Sequence, residues 1–528
     1  MRAVLWAAVF AAAVAATPID AASAKTFRWA NDGDSNSMDP YARQETFLLS
    51  FDSNIYEPLI RRDANLKVEP ALATAWKQTA PDVWRFTLRR GVTFHDGGPF
   101  TADDVVFSFA RVTGPGSNLS GAVALVKKVV KVDDFTVDFT TKGPDPILPE
   151  EITDWDIMSK AWCEKNNAVH AADLTKSEEN YATNHADGTG PFMLKDRQPD
   201  VETTLVKNPH WWDKAGVGID EAVFHRIADA HTRVAALLSG DLDMVYTVPP
   251  QDVDTIAKAP HLRIIKGPEL RTIYLGFDVS RDELLESNVK GKNPMKDIRV
   301  RKAFYQAIDE DAIASKVMRG YAVPTGLMVG PGINGFDPSL NQRLLPYDVE
   351  AAKKLLAEAG YPDGFEIGLD CPNDRYINDE QICTAVTIML AKIGIKVHPL
   401  IQTRAKFFAK ILGPGYNTSF FLLGWTPATY DAHNMLINLM VARTGTGRGD
   451  YNSGGYSNPR VEKLVDEIQT ETDQEKRASE MHEALKIIKD DVATIPLHQQ
   501  VLVWATRDNV EVVQQADDYF ALRFVKMN

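Results

Sequence analysis

The chain has 528 residues, 44% of them hydrophobic and 25% charged, which is ordinary globular composition with ample material for a core. At about 150 residues per domain, the length suggests roughly three folding units. A formal net charge of −14 argues against a nucleic-acid binder, which needs a basic face to displace counterions, and the acidity is read as solubility with no partner implied.

In chain order, Arg2 supplies a short positive start, Ala3 to Ala16 is unbroken and apolar, Thr17-Pro18 breaks the run, and Ala22-Ser23-Ala24 has small residues where a signal peptidase cuts. The apolar run falls below the roughly 18–20 residues that span a bilayer, so a secretory leader is expected over 1–24 with cleavage after Ala24. No cysteine lies near that site, so a lipid-free chain in the periplasm is expected. No later apolar run approaches a membrane span.

From Tyr56 to Arg111 the order of residues is the most informative in the chain. Trp84, Phe86 and Leu88 alternate with polar neighbours, the period of a half-buried strand. A turn is expected at His95-Asp96-Gly97-Gly98-Pro99, then a helix opened by Thr101 as N-cap with Asp104 as the capping-box acid. The polar stretch from Ser177 to Gly190 ends in Gly188-Thr189-Gly190-Pro191-Phe192, a turn back into a strand. Trp211 and Trp212 follow, read as packing residues. Arg233 to Val245 predicts a helix stopped by Gly240 and a short strand.

Asp348 predicts the cap of a helix with Val349, Ala352, Leu355, Leu356 and Ala359 on one face and Gly360 at its end. Phe365–Leu369 then reads as a strand, Glu380–Ile393 as a helix and Ile395–Ile401 as a second strand. Strand, helix, strand at this spacing is a βαβ unit with parallel strands. Ligands in open α/β sheets sit beyond the carboxyl ends of strands, so the loop after Leu369 is the place to seek binding groups. Cys371 and Cys383 flank that connection; a bridge between them and two buried free thiols both fit the spacing, and Cys163 is expected to be unpaired. No cysteine spacing suggests a zinc or iron–sulfur site.

Enzyme signatures are missing: there is no His-Glu-x-x-His, no Gly-x-Ser-x-Gly and no Walker A sequence. Gly445-Thr446-Gly447-Arg448-Gly449 precedes another loop rather than a helix and reads as a mobile loop. No catalytic residue, cofactor or metal is expected. An exported hydrolase is the remote alternative, which steady turnover of a ligand would reveal.

The stretch Tyr56–Arg111 closely resembles the signature of the family 5 extracellular solute-binding proteins, the peptide- and nickel-binding receptors of ABC importers. The likeness extends over Asp297–Phe304, Ala307-Ile308-Asp309, Gly424-Trp425, Ser457-Asn458-Pro459 and Ile495-Pro496-Leu497-His498. It implies an α/β fold, a two-lobed periplasmic-binding-protein clamshell (type II) with an extra domain inserted in lobe I. Carried over, lobe I covers 25–66, 189–282 and 496–528, the inserted domain 67–188 and lobe II 283–495. It also implies a monomer that closes over a small polar solute and delivers it to an inner-membrane ABC permease.

The family's peptide binders hold a zwitterion, a basic group taking the carboxylate and an aspartate the amine, because a charge buried on closure must be paired. Arg375 stands close to where dipeptide binders place the carboxylate arginine; a solvated loop arginine is the plain alternative. The amine aspartate of peptide binders falls three residues after the tryptophan of Gly424-Trp425, where this chain has Ala428. Asp431 could reach in instead, or simply cap the helix that follows. His433 stands near the histidine of nickel binders, but one histidine is not a metal site. The expected ligand-contacting set is Arg375, Trp425, Tyr430, Asp431 and His433. Short peptides lead as ligands, with an opine-like conjugate, an oligosaccharide or a metal chelate as the alternative.

Overall fold

A computed structural model describes residues 24–412, 415–444 and 448–528. The expected leader, Ala24 apart, and residues 445–447 of the glycine-rich stretch lie outside the described residues.

Two long strands, Leu262–Phe277 and Thr494–Arg507, run antiparallel at the centre of a mixed eleven-stranded sheet. Their two halves serve different lobes. On one side, Met244–Val245, Thr26–Asn31, Glu221–Arg226, Glu202–Lys207 and Phe192–Gln198 extend the sheet into lobe I. On the other, Phe420–Trp425, Glu366–Pro372 and Lys396–Gln402 extend it into lobe II. The expected βαβ unit is present: Glu366–Pro372 and Lys396–Gln402 pair in parallel, joined by the helix Asp379–Ala391.

The long strands lose register where they pass between lobes. Pro268 pairs with Val501 and Thr272 with Gln499, so Glu269, Leu270 and Arg271 bulge against Gln500. A bulge bends its strand and re-aims side chains, which suits a crossing between two bodies. The bulge at 269–271 opposite Gln500 lies inside two continuous strands.

Within 67–188, a four-stranded sheet ordered Ala73–Ala80, Val83–Leu88, Thr136–Thr141, Val126–Asp133 packs against the helix Ala102–Val112. Thr101 and Asp104 form the expected capping box. This region shares one hydrophobic core with lobe I: Phe86, Phe139 and Trp155 are continuous with Phe27, Trp29, Phe224 and Phe520. A buried ion pair joins the two. Arg111 donates to both oxygens of Asp39, at 2.8 and 2.5 Å, and both side chains are inaccessible to solvent. Trp211 and Trp212 do more than pack: their indole N–H groups donate to the buried carboxylate of Glu57 at 3.1 and 2.8 Å, where Thr189 donates as well.

The lobe II sheet carries a core on each face, because successive strand residues point to opposite sides. Ile273, Leu275, Phe420 and Leu422 face the helices Ile298–Ala307, Val349–Glu358 and Asp379–Ala391. Tyr274, Phe421 and Leu423 face Ala432–Leu439, Pro459–Thr470 and Gln474–Asp490. In lobe I the helix Ala230–Ser239 ends as expected at Gly240, whose φ of 95° is the left-handed cap that glycine adopts without strain. Cys371 and Cys383 are bridged, their Cα atoms 6.6 Å apart, and Cys163 is a buried free thiol. Closing so short a loop restricts the unfolded chain by roughly 3 kcal/mol.

Candidate functional site

The bulge at the crossing puts three polar side chains on the floor between the lobes. Gln500 donates to Glu269 at 2.6 Å, and Arg271 pairs with Glu269 at 2.9 Å. All three are buried. From lobe II, the loop after Glu366–Pro372 closes on this floor. The backbone N–H of Ile377 donates to the Gln500 side chain at 3.1 Å. Asp379 pins the loop from inside by accepting the backbone N–H groups of Arg375 and Tyr376, both at 3.0 Å. The Cys371–Cys383 bridge ties its base to the following helix.

This rigid loop presents Arg375 and Tyr376. The Tyr376 ring lies near two guanidinium groups, that of Arg375 at 5.2 Å from its centroid and that of Arg271 at 6.0 Å. Tyr376 also explains the glycine of Gly424-Trp425: a Cβ at 424 would stand 2.8 Å from the Tyr376 ring and 2.9 Å from Arg271 and Ile273 side-chain carbons. Trp425, half-buried, meets Tyr451 edge-on at 5.0 Å and donates its indole N–H to Asn434 at 3.2 Å. Beyond it, the hydroxyls of Thr426 and Thr429 are buried with no hydrogen-bond partner among the described residues.

Lobe I supplies acids. Glu45 caps the helix Thr46–Asp52 and lies 3.8 Å from Arg404 of lobe II. Asp518, near the chain's end, lies within the electrostatic reach of Glu269, Arg271, Asp517 and Asp32. Burial, followed by the Glu269 charge, holds its pKa well above the usual carboxylate range. Arg375 is pushed the opposite way: burial and then the neighbouring Arg271 lower its pKa. Among the described residues its guanidinium makes no ion pair. A half-buried cation of this kind is stabilised by an anion beside it.

The remaining residues of the expected set are placed differently. Asp431 is buried and accepts from both Arg477 Nη groups, at 2.6 and 2.9 Å, from Asn334 at 2.7 Å and from the backbone of His433 at 2.9 Å. Its oxygens are committed, so it is the cap and ion-pair partner of the helix Ala432–Leu439 and not a free acid for an amine. His433 is buried under that helix with Nε2 3.1 Å from the Val465 carbonyl, and burial lowers its pKa to about 4. No metal-binding cluster is present among the described residues. Tyr430 sits on the seam between lobes, donating to Asp517 at 2.5 Å, with Arg62 over its ring at 3.6 Å. Ala428 is exposed and brings no charge.

The structure therefore sets Arg375 beside Tyr376, on the face that Gly424 leaves open, turns Trp425 to the opposite face against Asn434 and Tyr451, and leaves Asp431 and His433 in the lobe II interior. Sequence reading missed Glu269, Arg271, Tyr376, Arg404 and Asp518. A signal existed for the first pair: two charges at alternate positions at the head of the mostly apolar run 272–277. Behind the seam, Arg61, Arg62, Asp154, Asp517 and Arg523 help line a cavity of about 60 Å³. It has room for a few waters and not for a solute.

Residues 67–446 match the family model described as the bacterial extracellular solute-binding proteins, family 5 middle. The chain is 28% identical over 471 residues to a heme-binding protein A of Haemophilus influenzae, covering 85% of this chain and 82% of that one. It is 27% identical to a glutathione-binding protein GsiB of Salmonella choleraesuis, covering 96% and 95%. Among solved structures, the periplasmic binding protein DppA of Helicobacter pylori in complex with the peptide STSA superimposes with a TM-score of 0.79 at 25% identity, covering 95% of this chain and 98% of that one.

Proposed function

We propose, from the premise that the chain belongs to the bacterial extracellular solute-binding proteins of family 5, that its ligand is a short peptide held by its carboxylate on Arg375. The fold is the type II periplasmic-binding-protein clamshell, and the protein is a substrate-binding receptor of an ABC importer rather than an enzyme. We further propose that it acts as a monomer, freed from its leader after Ala24, and passes its solute to an inner-membrane permease.

One observation carries the ligand reading: a half-buried guanidinium, held in a loop pinned by Asp379, that has no carboxylate partner among the described residues. Heme and glutathione, named for two relatives, are themselves carboxylate-bearing molecules. A second reading, a non-peptide solute such as an opine-like conjugate or a metal chelate, draws on Ala428, which brings no acid to the position that takes the amine in peptide binders. Trp425 would pack against the solute under either reading.

Binding should close the lobes about residues 269–271 and 500, since a ligand touching both lobes favours the closed state by its differential affinity. Small-angle scattering with a saturating tripeptide mixture should show a smaller radius of gyration than the free protein. An unchanged profile, with binding proved by calorimetry on the same sample, would contradict closure.

A further inference from the structure

We infer that Asp518 is the ammonium-binding group of this cleft, so that the two ends of a free peptide are read from opposite lobes, the amine by lobe I and the carboxylate by Arg375 of lobe II. The inference rests on the peptide reading above and supplies the acid that Ala428 does not.

The segment carrying Asp518 is fixed over the crossing. The N–H of Leu270 donates to the Ala516 carbonyl at 2.8 Å, Gln514 donates to Leu502 at 3.3 Å, and Gln515 donates to Asp63 at 3.1 Å. The two adjacent acids then divide. Asp517 accepts from Tyr430 and from the backbone of Tyr519. Asp518 has a φ of 67°, and its Oδ1 is buried with no hydrogen-bond partner among the described residues. A buried acceptor left unmade is costly, and a ligand ammonium would satisfy it with a charge-assisted bond.

Charge counting around the crossing points the same way. Glu45 is matched by Arg404 across the lobes. Arg271 is bound to Glu269 at 2.9 Å and also lies in the field of Asp518, so one cation is set against two acids. Asp32 is exposed, and Asp517 has its own partners. Among the described residues, what remains at the crossing is one acid without an ion-pair partner, Asp518, and one base without one, Arg375, both within reach of Arg271. A zwitterion spanning the floor of the cleft complements that pair. A ligand gripped from both sides also ties recognition of its two ends to closure.

The test compares the full chain and Asp518→Asn by equilibrium dialysis and mass spectrometry. The probes are three tripeptide mixtures of random sequence: free, N-acetylated and C-amidated. Asparagine tolerates the left-handed backbone, so the variant should fold, which thermal unfolding checks. The expected result is a loss on the order of 100-fold for the free mixture in Asp518→Asn. The parent chain should hold the N-acetylated mixture about as weakly as the variant holds the free one. Equal retention of the free mixture by both proteins, or N-acetylated peptides held by the parent as tightly as free ones, would overturn the assignment. Loss confined to the amidated mixture would overturn it while leaving the peptide reading intact. Retention of none of the mixtures by the parent chain would overturn the peptide reading, and this assignment with it.

Discussion

Arg375→Ala is expected to lower affinity for the true solute by about 3–5 kcal/mol, or roughly 10²–10⁴-fold, because the bound carboxylate is left buried without its partner. Stability without ligand should change little. The loop that presents Arg375 is held by the carboxylate of Asp379, the side chain of Gln500 and the Cys371–Cys383 bridge, none of which uses the guanidinium. Removing Arg375 even relieves a repulsion, since Arg271 disfavours its charge. Calorimetric titration with the solute, beside thermal unfolding of the empty protein, separates the two effects. Undiminished affinity in a folded variant would place the carboxylate elsewhere, with Arg271 and Arg404 the next residues to test.

Asp431→Ala should act in the reverse sense, on stability and not on recognition. The substitution strands Arg477, whose side chain is 1% exposed, and removes the cap of the helix Ala432–Leu439. Breaking a buried pair by deleting one partner costs about 3–5 kcal/mol. That corresponds to a fall in unfolding temperature on the order of 10 °C for a lobe of this size. The folded fraction should bind its solute almost as the parent does. Unchanged stability with lost binding would mean that Asp431 serves the ligand after all.

These two residues also show where reading the sequence succeeds and where it stops. The loop that carries Arg375 is legible because it follows a strand in a βαβ unit, whose period is local, whereas the role expected of Arg375 itself comes only from the family resemblance. The Thr101–Asp104 capping box and the Gly240 stop are legible for the same reason, each being decided within a few residues. Asp431 carries a local signal, that of a helix cap, and the structure bears that signal out. Its second partner, Arg477, lies 46 residues on and cannot be paired with it from spacing. The crossing at 269–271 is silent because a bulge inside a long strand leaves no break in hydrophobicity. Asp518 is the most remote case: its setting is made by Glu269 and Arg271, which only the fold brings to it.

The most direct measurement is native mass spectrometry of the protein purified gently from its host, beside Arg375→Ala prepared in the same way. A receptor that holds a carboxylate on Arg375 should carry a stoichiometric small-molecule adduct, released on denaturation, that contains a free carboxylate and is missing from the variant. A retained adduct with no acidic group, or an acidic one held equally by the variant, would contradict the account.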